Sequence, residues 1–182
     1  MIRSVLQSLE EIEKWFEKTD PWGYEDHPSD QHRRALLLSL LPKKSYRKIL
    51  DIGCGDGFIT SRLPGEKVFG IDISENAIRQ AREKCEGLSH ISFEAVSLFD
   101  LPDLGWDLSF DLIILTGVLY QQYIAEGDML AFTIINDLLE PGGHLVSCHI
   151  DEWCRFRFPY VTLHREYYSY REFSHILEVY LK

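Results

Sequence analysis

The sequence lacks several features that would place the protein in a specialised class. It has no apolar run approaching the ~20 residues that cross a bilayer, so no transmembrane helix is expected. Its first eighteen residues form a charged, amphipathic pattern without an apolar core, which argues against a secretory signal peptide. Basic residues are also few: 19 Lys and Arg stand against 29 Asp and Glu, giving a net charge of -10 at pH 7. This excess of negative charge disfavours nucleic acids and anionic membranes as partners.

Cysteine is scarce and scattered. The four cysteines (Cys54, Cys85, Cys148 and Cys154) form no C-x-x-C pair and lie in apolar surroundings. Disulfide frameworks and metal centres need tighter spacing. We therefore expect reduced, mostly buried thiols in a cytoplasmic protein.

What the sequence does contain is an alternation of helical and strand-like patterns over 182 residues, 45% of them hydrophobic. That length and composition predict one domain. Helices are predicted at residues 4–18 and 31–41 (the latter capped by Ser29 or Asp30), near 58–63, and at 75–85 and 129–139. Strands are predicted at residues 48–52, 68–73, 91–96, 110–115, 144–150, 161–170 and 175–181. Strands separated by helices predict an α/β, doubly wound parallel sheet, and the last two runs predict a hairpin with one antiparallel edge.

A glycine-rich turn is the strongest local signal. In ILDIGCGDGF (residues 49–58), a strand ends in G-x-G-x-G and runs directly into a predicted helix. Glycines let a ligand approach the backbone closely, and the N–H groups at a helix start are free to meet its polar groups. Asp51, which precedes the glycines, can accept a hydrogen bond from an ammonium group.

A second carboxylate, Asp72, follows the next strand about twenty residues further along, where it is suited to bind ribose hydroxyls. Dinucleotide folds instead use G-x-G-x-x-G and bind a pyrophosphate. Here Asp51 and Asp56 bracket the turn, and two carboxylates would repel a pyrophosphate. They suit a ligand with an ammonium and a sulfonium centre, such as S-adenosylmethionine (SAM). A glycine turn without a ligand, or an NAD site, is the alternative.

Four segments, LDIGCGDG, FGIDIS, FDLIILTGVLY and LEPGGHLV, resemble in order and spacing the class I SAM-dependent methyltransferases over about residues 45–150. The resemblance implies a Rossmann-like seven-stranded sheet, mostly parallel with an antiparallel C-terminal strand. It also implies SAM as cofactor and S-adenosylhomocysteine (SAH) as product. On this basis residues 1–182 form a single domain, with a helical lid at 1–44, a SAM-binding core at 45–150 and a C-terminal hairpin at 151–182.

The same resemblance implies which residues contact the cofactor: Asp51, Gly53, Cys54, Gly55, Asp72, Ile73, Ser97, Leu98, Thr116 and Gly117. Asp72 would hold the ribose, Ile73 would pack on the adenine, and Thr116 and Gly117 would border the methyl group. One position departs from the family pattern, because Ser97 stands where an acidic residue usually contacts the adenine amino group. The Leu98 N–H would meet a ring nitrogen.

The segments expected to bind the methyl acceptor are aromatic and polar. The D-P-W-G-Y stretch at residues 20–24, VLYQQY and PGGHLVSCHIDEWCRF resemble the NodS-type nodulation methyltransferases. That likeness implies N-methylation of an aminosugar or oligosaccharide amine. Aromatic rings stack on sugar faces, and acidic side chains (Asp26, Asp151 and Glu152) would attract a protonated amine. The predicted substrate contacts are Trp22, Tyr24, Tyr123, Asp151 and Trp153.

Two residues are candidates for catalysis. His149, just past the fifth predicted strand, is the first choice for a base that removes the amine proton, and Tyr120 would orient the amine. Alternatively, His149 is a hydrogen-bonded strand-end histidine, Tyr120 is a packing residue, and no dedicated base exists.

The function also has alternatives. One alternative is an O-methyltransferase that acts on a natural-product hydroxyl or carboxylate. The other is a SAM-binding protein without turnover. The carboxylates are not clustered, so no metal is expected. The expected partner is a small-molecule acceptor, with no nucleic acid or membrane, and the protein is expected to be a monomer or homodimer.

Overall fold

The computed structural model describes residues 6–105 and 109–182. Its strands are β1 (Tyr46–Ile52), β2 (Gly65–Asp72), β3 (Ile91–Ala95), β4 (Phe110–Thr116), β5 (Leu139–Ile150), β6 (Val161–Tyr170) and β7 (Phe173–Leu181). Its α-helices are α1 (Leu9–Trp15), α2 (Pro28–Leu40), α3 (Glu75–Lys84), α4 (Gln121–Ile124) and α5 (Asp128–Leu138). The strands form one sheet in the order β3-β2-β1-β4-β5-β7-β6, in which β7 is antiparallel to both neighbours. The predicted α/β fold with an antiparallel C-terminal strand is confirmed.

The centre of the sheet explains where a ligand can bind. Every residue of β4 except the last is buried, as an apolar run covered on both faces requires. β1 pairs with β2 on one side and with β4 on the other, so the strand order reverses beside β1. Open α/β sheets bind ligands at the carboxyl ends of the strands flanking such a reversal. The glycine-rich turn after β1 lies at that point.

The two N-terminal helices differ from the prediction at their ends. α1 begins after Ser8, whose side chain forms a reciprocal capping box with Glu11, and residues 4 and 5 of the predicted helix lie outside the described residues. The predicted cap of α2 is wrong: the His27 imidazole accepts the Ser29 N–H, and Pro28 takes the first helical position. Asp30 is instead fully buried beneath the C-terminal hairpin.

Two further boundaries were predicted wrongly. The helix expected near residues 58–63 is only a 3₁₀ turn at Thr60–Arg62, because the proline at position 64 holds Leu63 in an extended conformation. β5 begins at Leu139, before Pro141, although the prediction began it at residue 144. Its early residues are stabilised by the chain end, since the Gly142 N–H donates to the Lys182 carbonyl and the Lys182 N–H donates to the Gly143 carbonyl.

The N-terminal segment is fixed to α3. The Gln80 side-chain amide donates to the Phe16 carbonyl over 2.6 Å. The Glu13 carboxylate accepts the backbone N–H groups of Glu75 and Asn76 over 2.6 and 3.2 Å, so it caps the first turn of α3. These contacts hold α1 over the carboxyl ends of the strands.

Within residues 6–105 and 109–182, no helix is long and apolar enough to cross a membrane. The four cysteines are buried free thiols, as predicted.

Candidate functional site

A cavity of about 250 Å³ lies at the carboxyl ends of β1, β2 and β4, between the glycine-rich turn and the N-terminal lid. The ten predicted cofactor contacts all line it: Asp51, Gly53, Cys54, Gly55, Asp72, Ile73, Ser97, Leu98, Thr116 and Gly117. The fold therefore brings together residues that are far apart in the sequence, from Asp51 to Gly117. Their individual roles remain predictions.

The glycine-rich turn is held tightly against β2. The N–H groups of Gly53 and Cys54 both donate to the Ile71 carbonyl, over 2.8 and 2.9 Å. Gly53 has a φ of +69°, and a Cβ there would lie 1.9 Å from the Val118 Cγ1 atom. Only glycine fits this position, so the backbone itself forms the cavity wall.

Asp72 projects its carboxylate from the end of β2 and accepts the N–H groups of Gly55 and Ser74, each over 3.0 Å. Burial raises the pKa of this carboxyl, whereas the backbone hydrogen bonds lower it. A carboxylate has about four acceptor sites, so two donors leave capacity for ribose hydroxyls. The neighbouring Ile73 side chain is 38% exposed and presents an apolar surface beside it.

Asp51 is almost fully buried and has one unsatisfied oxygen. Its Oδ2 accepts the Thr60 hydroxyl over 2.6 Å, while its Oδ1 has no hydrogen-bond partner among the described residues. Burial raises the pKa of the carboxyl to about 7. A buried, unpaired carboxylate oxygen on a cavity wall fits an ammonium group, as SAM carries.

Arg33 is a cavity residue that the sequence reasoning missed as a site residue. Its guanidinium is buried, pairs with Asp30 over 3.0 Å and stacks on the Tyr24 ring. Its Nε has no acceptor in the described part of the chain. A buried N–H donor fits a carboxylate, so Asp51 and Arg33 together suit the ammonium and carboxylate of the amino-acid end of SAM. The available signal was the position of Arg33 and Arg34 on the predicted helix that follows the D-P-W-G-Y stretch.

Asp56 does not bracket the turn as predicted. Its carboxylate accepts a hydrogen bond from Lys84 over 2.5 Å and from the Phe58 N–H over 3.2 Å, and it does not line the cavity. The carboxylates that would repel a pyrophosphate in this cavity are therefore those of Asp51 and Asp72.

Ser97 lies on the cavity wall at the start of a 3₁₀ segment, Leu98–Leu104. Its Oγ accepts the Phe99 N–H over 3.2 Å, which leaves the hydroxyl proton available to a ligand. This geometry is compatible with the predicted contact to adenine.

His149 lies behind the cavity wall, with both ring nitrogens hydrogen-bonded. Its Nε2 accepts the Leu119 N–H over 3.2 Å, and its Nδ1 lies 3.1 Å from the Ser147 hydroxyl. Burial lowers the pKa of the imidazole to about 3. These contacts favour the alternative of a hydrogen-bonded strand-end histidine, and a base at Nε2 would first have to release Leu119.

Tyr120 is buried and lines neither of the two cavities. Its hydroxyl accepts the Ile150 N–H over 2.8 Å, and a Cβ placed on Gly117 would lie 3.9 Å from that oxygen. Burial raises the pKa of the phenol, so it stays protonated near neutral pH and can only donate or accept hydrogen bonds. An orienting role for Tyr120 is compatible with this position.

Four of the five predicted substrate residues line one of two cavities. Trp22, Tyr24 and Tyr123 line the first, where the Trp22 and Tyr24 rings stack with centroids 5.8 Å apart. Trp153 lies in a second cavity of about 490 Å³. Leu119 lines both cavities, so they share a wall.

The acidic side chains are arranged differently from the prediction. Asp151 lines neither cavity and pairs with Arg157 over 2.5 Å, and Asp26 also lines neither. Glu152 lines the second cavity together with two acidic residues that the sequence did not single out, Glu126 and Asp128. In the described part of the chain, no three His, Cys, Asp or Glu side chains are placed to hold a metal ion.

Asp51 predicts a pH dependence of ligand binding. The ammonium of SAH favours the ionised carboxylate, so affinity should fall about tenfold per pH unit below pH 7, as the raised pKa requires. The free energy of unfolding of the ligand-free protein should change in the opposite direction. The pKa of the Asp51 carboxyl is higher in the folded than in the unfolded state, so the contribution of this group to stability is lost as the pH rises through 7. Calorimetric titration of SAH between pH 6 and 8 measures the effect.

Asp51→Asn serves as the control for this titration. It should weaken SAH binding at pH 8 and flatten the pH profile. An unchanged profile in Asp51→Asn would assign the pH dependence to another group.

Comparisons with known proteins agree with this geometry. The family described as a methyltransferase domain matches residues 43–175. Nodulation protein S of Rhizobium tropici is 34% identical over 131 residues, which cover 70% of this chain and 53% of the relative. A demethylmenaquinone methyltransferase of Tropheryma whipplei (strain Twist) is 31% identical over 140 residues, covering 76% and 56%. The chain thus spans about half the length of these curated relatives.

The fold comparison covers more of the chain. The crystal structure of the N-methyltransferase NodS from Bradyrhizobium japonicum WM9, in complex with SAH, superposes with a TM-score of 0.82 at 26% identity. The match covers 96% of this chain and 97% of that one. The chain therefore belongs to the class I SAM-dependent methyltransferases, with SAM as its cofactor, and within that family it resembles NodS.

Proposed function

We propose that this protein transfers a methyl group from SAM to the amine of a small-molecule acceptor, most simply an aminosugar or an oligosaccharide containing one. The observation that carries the proposal is the second cavity, which adjoins the cofactor cavity and combines an indole with three carboxylates. The likeness to NodS supports an amine acceptor. The Tropheryma whipplei relative, by its name, methylates demethylmenaquinone, so the family alone does not decide the acceptor.

The second cavity fits a cationic, ring-shaped acceptor. Glu126, Asp128 and Glu152 supply three negative charges and Arg155 one positive charge, which leaves a net attraction for an ammonium group. Trp153 is 46% exposed and packs edge-on against Tyr120, with centroids 5.5 Å apart. An exposed indole face is suited to stacking on a pyranose ring.

Tyr120 lines neither cavity but packs between residues that do. Its ring contacts Trp153 on the acceptor side, and its hydroxyl lies beside Gly117 on the cofactor side. When bound, SAM supplies an electrophilic methyl group on a positively charged sulfur, which an uncharged amine nitrogen attacks in line. Tyr120 can orient that nitrogen by hydrogen bonding, and the aromatic lid residues Trp22 and Tyr24 exclude water.

The proposal does not require a dedicated base. The ammonium must lose a proton before attack, and the nitrogens of His149 are occupied by Ser147 and Leu119. Water at the open side of the second cavity can accept the proton, and the chain then contributes alignment and desolvation. A base role for His149 stays a prediction.

The test is a methyl-transfer assay with SAM and matched acceptors. Glucosamine and deacetylated chitin oligomers should be methylated on nitrogen, while their N-acetylated counterparts should be inert because an amide nitrogen is not nucleophilic. Product mass and SAH formation give the readout. Glu152→Gln should raise KM for the amine about fivefold with little change in kcat, because it removes attraction rather than alignment.

The exposed residue Glu83, on the far side of α3, provides the matched control. Glu83→Gln removes the same charge and should leave KM unchanged. Methylation of hydroxyl or carboxyl compounds alone would identify an O-methyltransferase. SAH binding without turnover on any acceptor would identify a SAM-binding protein without activity.

A further inference from the structure

The tip of the C-terminal hairpin contacts the N-terminal lid. Between β6 and β7, the Tyr170 hydroxyl donates to Asp30 Oδ1 over 2.7 Å, and the Arg171 guanidinium donates to Asp30 Oδ2 over 2.8 Å. Arg171 also donates to the Trp22 carbonyl over 2.7 Å. Its φ of +52° is a left-handed conformation that non-glycine residues seldom adopt, so the turn places this side chain at a conformational cost.

Asp30 transmits these contacts to the cofactor cavity. It is fully buried, and its Oδ1 also pairs with the Arg33 guanidinium over 3.0 Å. The guanidinium of Arg33 lies 4.9 Å from the centre of the Tyr24 ring and 5.5 Å from that of Tyr170. The orientation of Arg33, and hence of its unpartnered Nε, therefore depends on the hairpin tip.

The charges around Asp30 do not cancel. One buried carboxylate is shared by two guanidinium groups, Arg33 and Arg171. The other titratable groups facing Arg33 are neutral: burial raises the pKa of Tyr24, Tyr170, Tyr168 and Cys148 above the neutral range and lowers that of His175 to about 3.

Two further groups complete the surroundings. The His27 Nδ1 atom lies 3.8 Å from Asp30 and accepts the Ser29 N–H. Asp51 lines the same cavity, and the charge of Arg33 lowers the pKa of its carboxyl, although burial raises that pKa more strongly. One net positive charge consequently remains within the cluster of Asp30, Arg33 and Arg171, and a buried charge is stable only if it is paired.

We infer that Tyr170 and Arg171 are positioning residues for the amino-acid end of the cofactor. Arg171 neutralises Asp30 so that the positive charge of Arg33 stays available to a carboxylate, and Tyr170 fixes the carboxylate of Asp30 that aligns Arg33. The inference rests on SAM as cofactor and on the fit of Arg33 to its carboxylate. It does not depend on which acceptor is methylated.

Two ligands separate this role from a general structural one. SAH and 5′-methylthioadenosine share the adenosine and the thioether, but only SAH carries an ammonium and a carboxylate. By calorimetric titration, Arg171→Gln should raise the Kd of SAH about tenfold and leave that of methylthioadenosine nearly unchanged. Arg171→Lys, which keeps the charge, should recover most of the affinity. Tyr170→Phe should show the same selectivity with a smaller loss, about threefold.

Arg165 provides a matched control on the same hairpin, because its guanidinium pairs with Glu178 and not with Asp30. Arg165→Gln should leave the Kd of both ligands unchanged. Equal weakening of both ligands by Arg171→Gln, or no effect on either, overturns the inference. If Arg171→Gln does not fold, Tyr170→Phe decides the question by the same comparison. A failure of amine methylation leaves this test intact, because it measures binding alone.

Discussion

Replacing Gly53 with alanine is expected to abolish measurable binding of SAH and to destabilise the fold. The new Cβ would lie 1.9 Å from the Val118 Cγ1 atom, and the φ of +69° adds the cost of a left-handed conformation, about 1–2 kcal/mol. Val118 is β-branched, so its side chain has little freedom to move away. Because Val118 follows Gly117, relief of the clash should displace the segment that we predict to border the transferred methyl group. SAH calorimetry and urea unfolding measure the two effects.

Gly87→Ala is the control that separates the cost of the steric clash from the cost of the left-handed backbone conformation. Its φ is +86°, but a Cβ there would meet no atom within 4 Å. Gly87→Ala should therefore lose about 1–2 kcal/mol of unfolding free energy and keep wild-type affinity for SAH. Wild-type SAH binding by Gly53→Ala would contradict the close packing of the turn against Val118.

Asp72→Asn is expected to weaken SAH binding by about 30-fold or more. An asparagine keeps the shape of the side chain but replaces one acceptor oxygen with a donor. The carboxylate accepts the N–H groups of Gly55 and Ser74, so one buried N–H loses its acceptor, at a cost of about 1–3 kcal/mol. The hydrogen bonds that we predict to the ribose hydroxyls would lose their negative charge as well. Calorimetry with SAH measures the loss, and NAD is the ligand expected not to bind.

Asp100 is the matched control for this substitution, because it is an exposed carboxylate in the 3₁₀ segment that follows Ser97. Asp100→Asn should bind SAH as the wild type does. An Asp72→Asn variant with wild-type affinity would show that another group holds the ribose.

The cavity-lining residues of the glycine-rich turn and the end of β2 were predictable from sequence because their signals are local. Gly53, Gly55 and Asp72 sit where strands end, and a parallel sheet brings its carboxyl ends to one edge whatever its helices do. The glycine pattern indicates a turn with positive φ angles, and such a conformation is determined by a few neighbouring residues. Such features require no knowledge of how distant segments pack.

The features that could not be predicted depend on distant partners. Asp30 has the residue type and spacing of a surface helix cap, but its partner Tyr170 lies 140 positions away, on the hairpin that buries it. The sequence around His149 likewise does not reveal that the Leu119 N–H occupies its Nε2. Asp151 was expected to attract an amine, and its pairing with Arg157 depends on how the chain turns after β5.

The carboxylate of Glu13 connects the N-terminal lid to the start of α3. It accepts the first N–H groups of α3 and the Ser74 hydroxyl, immediately after the strand end that carries Asp72. Movement of α1 away from α3 would therefore leave the N–H groups of Glu75 and Asn76 without their acceptor, at a cost of about 1 kcal/mol, while Ser74 would still cap the Ala77 N–H. The position of α1 and the stability of the first turn of α3 are thus coupled, although no residue of α3 lines the cavity.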